Sequence, residues 1–460
     1  MLRERARLTP ARVAIECGEA TVTYAELDRR SDALARSLTH GDRVATLTAN
    51  SAEHVVTFFA CAKAGAILLP LSWRLSPHEL AYQLDHAEPA LFLAEDRHRE
   101  LAEAALELAT VAPARRAGEG SPRPPGPDDP LLLIYTSGTT GRPKGALLTH
   151  ANCFWTNLSF DLAIGVDGRD VVLQTLPQFH CGGWNVQALL SWWKGATVLL
   201  APSFDPESTL SLLARRGVTT MMGVPAHYLF LSEADGFART DLRALRRAVV
   251  GGAPMPLALL ERWSDRGVDI LQGYGLTEAA PNVLAVPAED ARRKAGCAGR
   301  PYPYVECDLS ERGELLVRGP NVFAGYWRDP DASAAAVRDG WLHTGDVAER
   351  DDEGFYRIRG RVKDMVISGG ENIYPAEVEQ VLAAHDAVVE AAVVGVPDAR
   401  WGEVCAAYVV LRRPAADQEL AAFCRARLAR FKVPRSFTVV DTLPRNALGK
   451  VLKSRLQAVA

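Results

Sequence analysis

Asp42-Arg43-Val44-Ala45-Thr46-Leu47, then Ala52 to Ala64, then Gly65, then Ala66-Ile67-Leu68-Leu69-Pro70 is the stretch whose reading decides the fold class. Asp42 to Leu47 predicts a short strand, and the apolar run from Ala52 predicts a helix stopped by Gly65. Ala66 to Pro70 predicts a second strand. Strand, helix and strand in short succession form the unit of a parallel α/β layer. Upstream, Thr23 can cap a helix that begins Tyr24-Ala25-Glu26-Leu27. Downstream the rhythm recurs, with strands at Ala196 to Leu200 and Val218 to Val224 around a helix at Pro206 to Arg215. His54, inside the first helix, reads as a surface or packing histidine.

The texture changes beyond Pro301. Glu314 to Gly319 and Gly354 to Gly360 alternate apolar and polar residues between turns, which predicts antiparallel hairpins and a small β subdomain. From Lys363 onward the pattern is helix (Pro375 to Ala384), strands (Val388 to Val396, Val404 to Leu411) and helix (Gln418 to Leu428), a second, compact α+β domain. Arg115 to Pro130 is polar, with five prolines after Gly120, so no helix crosses it.

That break leads to Leu131 to Ile134, a buried strand, and then to Tyr135-Thr136-Ser137-Gly138-Thr139-Thr140-Gly141-Arg142-Pro143-Lys144-Gly145. Glycines let this backbone bend, hydroxyls can donate, and Lys144 can neutralise a phosphate. The spacing is not that of a Walker loop, which needs Gly-Lys-Ser/Thr at a helix start; here Pro143 precedes the lysine and Gly145 follows it. An ordinary P-loop ATPase is thereby disfavoured.

A chain of 460 residues exceeds one core, and 48% hydrophobic with 23% charged residues is a soluble globular composition. A net charge of -4 offers no general attraction to nucleic acid or anionic membrane. The eight cysteines lack any Cys-x-x-Cys pair, which reads as reduced thiols in a cytoplasmic protein rather than a zinc site. The first ten residues lack the apolar core of a signal peptide, and no run is long enough to span a bilayer.

Other segments carry chemistry with two readings each. His180, in Leu176-Pro177-Gln178-Phe179-His180-Cys181-Gly182-Gly183-Trp184-Asn185, is a structural histidine or a ring projecting into a cavity from a bent loop. Cys181 reads as inert and buried. Val250-Gly251-Gly252 ends a strand where backbone can approach a flat ring. In Gln272-Gly273-Tyr274-Gly275-Leu276-Thr277-Glu278, Tyr274 is core or a stacking partner, and Glu278 is a helix-start acid or a Mg²⁺ ligand. Asp346 reads as a carboxylate on a turn, suited to two ribose hydroxyls.

Together these segments, from Thr23 to Val451, resemble the AMP-forming acyl-CoA synthetases, in the superfamily that includes peptide-synthetase adenylation domains and luciferases. The phosphate loop, the His180 turn, Tyr274 to Glu278, Asp346, Arg361 and Lys450 occur in the family order. The resemblance implies an N-terminal domain over 1–362, built of two α/β subdomains and a small β-barrel-like one, and a mobile α+β domain over 363–460. It implies that an acid is joined to AMP with release of pyrophosphate, and that the acyl-adenylate is opened by the thiol of CoA. The alternative acceptor is the pantetheine of a separate acyl carrier protein or another nucleophile, a second reading is a catalytically silent nucleotide-binding protein, and the oligomeric state, a dimer included, is left open.

Carried over residue by residue, the resemblance implies that Thr136, Ser137, Gly138, Thr139, Thr140 and Lys144 hold the β and γ phosphates of ATP. Gln272, Gly273, Tyr274 and Gly252 border the adenine, Thr277 touches the α-phosphate, and Asp346 and Arg361 hold the ribose. Glu278 with Thr136 positions Mg²⁺. Lys450 meets the acid carboxylate and the α-phosphate, His180 gates the thiol tunnel, Lys363 is the hinge, and Gly369 leaves room for pantetheine. Trp184, Asn185, Val186, Met222, Gly223, Val224, Pro225, Gly275, Leu276 and Pro281 line the acid pocket, with Trp184 read alternatively as a core side chain. None of these ten is charged, which favours hydrophobic fatty or aryl acids because a buried unpaired charge is costly.

Overall fold

The computed structural model describes residues 1–111, 124–136, 142–369, 371–445 and 451–457. By its contacts the chain divides into two compact units. The first comprises Met1–Met255, Leu259–Cys307 and Val317–His343; the second comprises Pro256–Ala258, Asp308–Leu316 and Thr344–Ala460.

The first unit holds two sheets. One has six strands, in the spatial order Gly325–Tyr326, Lys144–Thr149, Pro130–Thr136, Ile67–Pro70, Arg43–Leu47 and Leu91–Ala94. The last four are parallel, whereas Lys144–Thr149 folds back antiparallel on Pro130–Thr136. The helix Ala52–Ala64 lies where its sequence places it, capped by Ser51, whose hydroxyl accepts the His54 amide at 3.2 Å, and closed at Gly65. Val55, Phe58, Phe59 and Cys61 are all buried, so this is a core helix with no broad wet face. His54 belongs to that packing. Its Nε2 lies 3.0 Å from Thr46 Oγ1, its ring meets Trp184 edge-on, and burial pushes its pKa down to about 3.

The other sheet has nine strands, in the order Arg300–Pro301, Asn282–Ala285, Ile270–Gly275, Arg247–Val250, Thr220–Gly223, Val171–Gln174, Thr197–Leu200, Val13–Cys17 and Ala20–Thr23. Its central strands are parallel and both edges are antiparallel. Asp170, fully buried, ties together the entry end of this sheet. Its carboxylate accepts from Thr219 Oγ1 at 2.8 Å and pairs with Arg246 and Arg247 at 2.5 and 3.1 Å. A buried carboxylate is tolerable only when it is satisfied in this way.

In the second unit, Gly402–Leu411 pairs antiparallel with Val388–Asp398 and parallel with Ser436–Val439, and Val366–Ser368 pairs with Glu371–Ile373. Helices Pro375–Ala383 and Asp417–Arg425 complete the α+β arrangement, whose core includes Ile373, Val378, Leu382, Val393, Leu420 and Phe437. The placement of Asp346 on a turn is corrected. It lies inside the strand Trp341–Arg350, opposite Arg361 of Tyr356–Arg361. Gly345 takes φ +70° within a ladder that continues, so the glycine marks a kink rather than a turn.

Candidate active site

Four of the sequence-predicted segments sit at one edge of the nine-stranded sheet. The His180 turn follows Val171–Gln174, Met222-Gly223-Val224 ends Thr220–Gly223, Gly251-Gly252 follows Arg247–Val250, and Gln272 to Glu278 ends Ile270–Gly275. Those strands are parallel neighbours, so their carboxyl ends, where open α/β sheets bind ligands, are brought together. The ends also approach closely: a Cβ on Gly251 would stand 3.1 Å from Met222 Cε and 3.4 Å from Gly273 O. Leu276 N donates to Pro281 O at 3.2 Å, and a Cβ on Gly275 would overlap that same oxygen, so only glycine lets this hairpin close.

The six-stranded sheet supplies the shoulders of the phosphate loop. Thr136 and Lys144 face each other in register, and Thr136 Oγ1 donates to Lys144 O at 3.5 Å. Lys144 Nζ lies 5.2 Å from the ring centroid of Tyr326, whose hydroxyl donates to Glu278 Oε1 at 2.8 Å. The cation and the carboxylate, from different sheets, are therefore joined through one phenol. Burial and the Glu278 charge push the Tyr326 pKa well up, so the phenol stays a donor. Phe323 N donates to Glu278 O at 2.9 Å, and Asn321 Nδ2 donates to the carbonyls of Ala279 and Asn282 at 3.0 Å. A cleft of about 480 Å³ beside the loop is lined by Tyr82, His86, Arg142, Pro143, Lys144, Trp327 and Asp329. Tyr82 braces it, donating its hydroxyl to Pro143 O at 3.2 Å.

The His180 turn leans on the same carboxylate segment. Cys181 is buried, and burial, then Cys153 and Glu278, raise its thiol pKa, while a hydrogen bond with Thr277 opposes the rise. Its inert character is thus explained. The ring of His180 packs 4.7 Å from that of Phe179.

Trp184 and Asn185 lie deeper than the acid-pocket expectation implied. Trp184 is fully buried, stacked on Phe58 at 4.7 Å, with Nε1 donating to Gln178 O at 2.6 Å. It is a core side chain. Asn185, also fully buried, accepts from Asn157 Nδ2 at 3.2 Å, and its backbone oxygen accepts from Asn282 Nδ2 at 3.3 Å. Val186 is buried as well. A Cβ on Gly252 would meet Val224 at 3.5 Å.

The second unit carries its own pair. Asp346, nearly buried, accepts from Arg361 Nε at 2.8 Å. Gly345 N donates to Glu314 Oε1 at 2.9 Å, and Thr344 Oγ1 donates to Leu315 O at 2.7 Å, which hold the kinked strand. Lys363 is exposed in the short 3₁₀ turn Val362–Asp364. Gly369 has φ +60°, donates to Trp401 O at 2.8 Å, and lies so near Trp401 that a Cβ would stand 2.7 Å from the indole. The indole gives that glycine a reason within the domain itself.

Ser137, Gly138, Thr139, Thr140 and Lys450 lie outside the described residues. Sequence reasoning missed Tyr326, the Phe323 amide that holds Glu278 and the Asn321 amide that holds its neighbours Ala279 and Asn282. Tyr326 had a weak signal, an aromatic after Gly325 and before Trp327, but nothing local distinguishes Asn321 from a polar turn residue.

The chain matches the family model described as AMP-binding enzyme over residues 2–327 and the model of its C-terminal domain over 377–450. It is 42% identical to a feruloyl-CoA synthase of an Amycolatopsis species, covering 98% of this chain and 97% of that protein. An indoleacetate–CoA ligase of Aromatoleum aromaticum is 40% identical, with 97% and 95% covered. Among solved structures, the o-succinylbenzoate CoA synthetase of Bacillus subtilis in complex with its acyl-adenylate intermediate superposes with a TM-score of 0.90 at 36% identity, covering 99% of this chain and 97% of that one.

Proposed function

This chain belongs to the AMP-binding enzyme family, and from that premise we propose that it is an AMP-forming acid–thiol ligase whose acid carries an aromatic ring. The acid carboxylate attacks the α-phosphorus of ATP, the bond to the β-phosphate breaks and pyrophosphate leaves. The thiol of CoA then attacks the acyl carbon, its proton is lost to solvent, and AMP departs. The observation that carries this reading is the Lys144–Tyr326–Glu278 contact beside the loop after Thr136. It couples a phosphate-binding cation to a carboxylate.

Each residue then has a task. Thr136 and Lys144, with Ser137, Gly138, Thr139 and Thr140, hold the β and γ phosphates. Gly252, Gln272, Gly273 and Tyr274 border the adenine, Thr277 contacts the α-phosphate, and Asp346 with Arg361 holds the ribose. Lys450 attends the two anions that must meet, where charge would otherwise repel. His180 positions the thiol. Glu278 and Thr136 offer only hard oxygen donors, which fits Mg²⁺, and the metal when bound offsets charge on the phosphates.

The relatives named for ferulate, indoleacetate and succinylbenzoate support an aromatic acid over a fatty one, and the uncharged residues Met222, Gly223, Val224 and Leu276 favour an apolar acid of either kind over a charged one. The test is pyrophosphate release with ferulate, indole-3-acetate, benzoate, octanoate, palmitate, malonate and leucine. An aryl or arylalkyl acid is expected to exceed every aliphatic one in kcat/KM by about tenfold or more, within the range pocket contacts supply. A preference for palmitate, malonate or leucine would overturn the aryl assignment, and release of ADP instead of AMP would overturn the reaction class. No helix among the described residues is long and apolar enough to cross a membrane, and a cytoplasmic reaction is in keeping with eight cysteines that form no disulfide.

A hinge at Lys363, between domains 1–362 and 363–460, is part of the same proposal. Lys363→Pro fixes φ there and restricts rotation between the two half-reactions. Pyrophosphate release in the absence of CoA should survive better than thioester formation from supplied adenylate. Native turnover in both halves would mean that the pivot lies elsewhere.

A further inference from the structure

Tyr326 itself holds neither substrate nor metal in that scheme, yet it makes two contacts. Its hydroxyl donates to Glu278 Oε1 at 2.8 Å, and its ring carries the Lys144 ammonium 5.2 Å from the centroid. The backbone is anchored on every side of these contacts. The strand Gly325–Tyr326 pairs with Lys144–Thr149, Tyr326 opposite Ala146, and Tyr326 N donates to Ser333 Oγ at 2.8 Å. Glu278 is pinned through its own carbonyl by Phe323 N. The phenol therefore bridges two side chains whose backbones are anchored.

We infer that Tyr326 is a positioning residue that orients the Glu278 carboxylate for the divalent metal and seats the Lys144 ammonium for the nucleotide phosphates. This rests on the reading of Glu278 as the metal carboxylate. A hydroxyl bonded to one carboxylate oxygen fixes the rotation of the group and hence the direction in which the other oxygen points. Partners of this kind, one bond removed from a metal, commonly change its affinity by about 10- to 100-fold. The aromatic face attracts the ammonium without neutralising it, leaving its charge for phosphate. The two contacts are chemically separable, because phenylalanine keeps the ring and loses the hydroxyl, whereas leucine loses both.

The test uses the full chain with α,β-methylene-ATP, which cannot release pyrophosphate, and Mn²⁺ as the metal probe. Free Mn²⁺ is counted from its electron paramagnetic resonance signal, and nucleotide affinity is measured separately in EDTA by calorimetry. Tyr326→Phe is expected to weaken Mn²⁺ binding by about tenfold or more while leaving nucleotide affinity in EDTA unchanged; Tyr326→Leu is expected to weaken both. Melting curves confirm that each variant is folded. Glu278→Gln separates the two levels of the argument. If it weakens Mn²⁺ binding and Tyr326→Phe does not, the tyrosine's role is overturned while the metal reading stands. If Glu278→Gln itself binds Mn²⁺ normally, the metal reading of Glu278 falls. Unchanged nucleotide affinity in Tyr326→Leu would overturn the seating of Lys144.

Discussion

Lys450→Ala is expected to lose acyl-adenylate formation by about 10²- to 10³-fold, the scale on which removal of a single charge-stabilising donor acts in a transition state, while still converting supplied adenylate and CoA to thioester. The reason is the charge that accumulates when a carboxylate approaches a phosphate. A cation between them lowers the barrier of that step, whereas attack of a thiol on the mixed anhydride needs none there. Lys450 itself lies outside the described residues, but the chain on either side is anchored. Arg445 and Val451 form an antiparallel bridge, Leu452 N donates to Pro444 O at 2.7 Å, and Leu443 and Leu456 are buried beside Tyr408. The described residues that flank the lysine are thus held by a packed core. Pyrophosphate release and single-turnover thioester formation, measured on the same preparation, check the expectation. Equal losses in the two steps would remove Lys450 from the adenylation role.

Trp184→Ala is expected to destabilise the first unit by about 3–5 kcal/mol, the usual cost of emptying a buried aromatic site. It also leaves Gln178 O without its 2.6 Å donor and removes the partner stacked on Phe58. From the sequence alone, the indole reads either as core or as a wall of the acid pocket, and for a wall the same substitution would lengthen the accepted acid or weaken aryl acids. The burial makes stability the first consequence. Denaturant unfolding of Trp184→Ala against Trp184→Phe measures it, the phenylalanine retaining most of the packing. Native stability in Trp184→Ala together with a broadened acid range would restore the pocket-wall role.

The two cases show which signals local sequence can carry. Helix Ala52–Ala64 matched its expected bounds because an apolar run, a serine cap and a glycine stop act within one element. Helix Pro206–Arg215 did so for the same reason, with Asp205 as its cap. Asp346 is expected on a turn, yet long-range pairing with Tyr356–Arg361 places it in a strand. Tyr326 went unnoticed because its significance lies in Lys144 and Glu278, both far from it in the chain.

By itself, the sequence determined the α/β class, the division of chemistry among loops that follow strands, and the order of the motifs that carry the family resemblance. These depend on residue type and short spacing, which encode periodicity, turns and charge directly. Only the tertiary structure decided which sheet each strand joins: Val13–Cys17 and Ala20–Thr23 cross to the nine-stranded sheet, beside Thr197–Leu200, while the next strand, Arg43–Leu47, joins the other. It also decided that Trp184 is core and that a phenol links the phosphate lysine to Glu278. Such choices depend on which apolar faces and polar groups find partners when distant segments are packed together, and no stretch of a few residues contains that information.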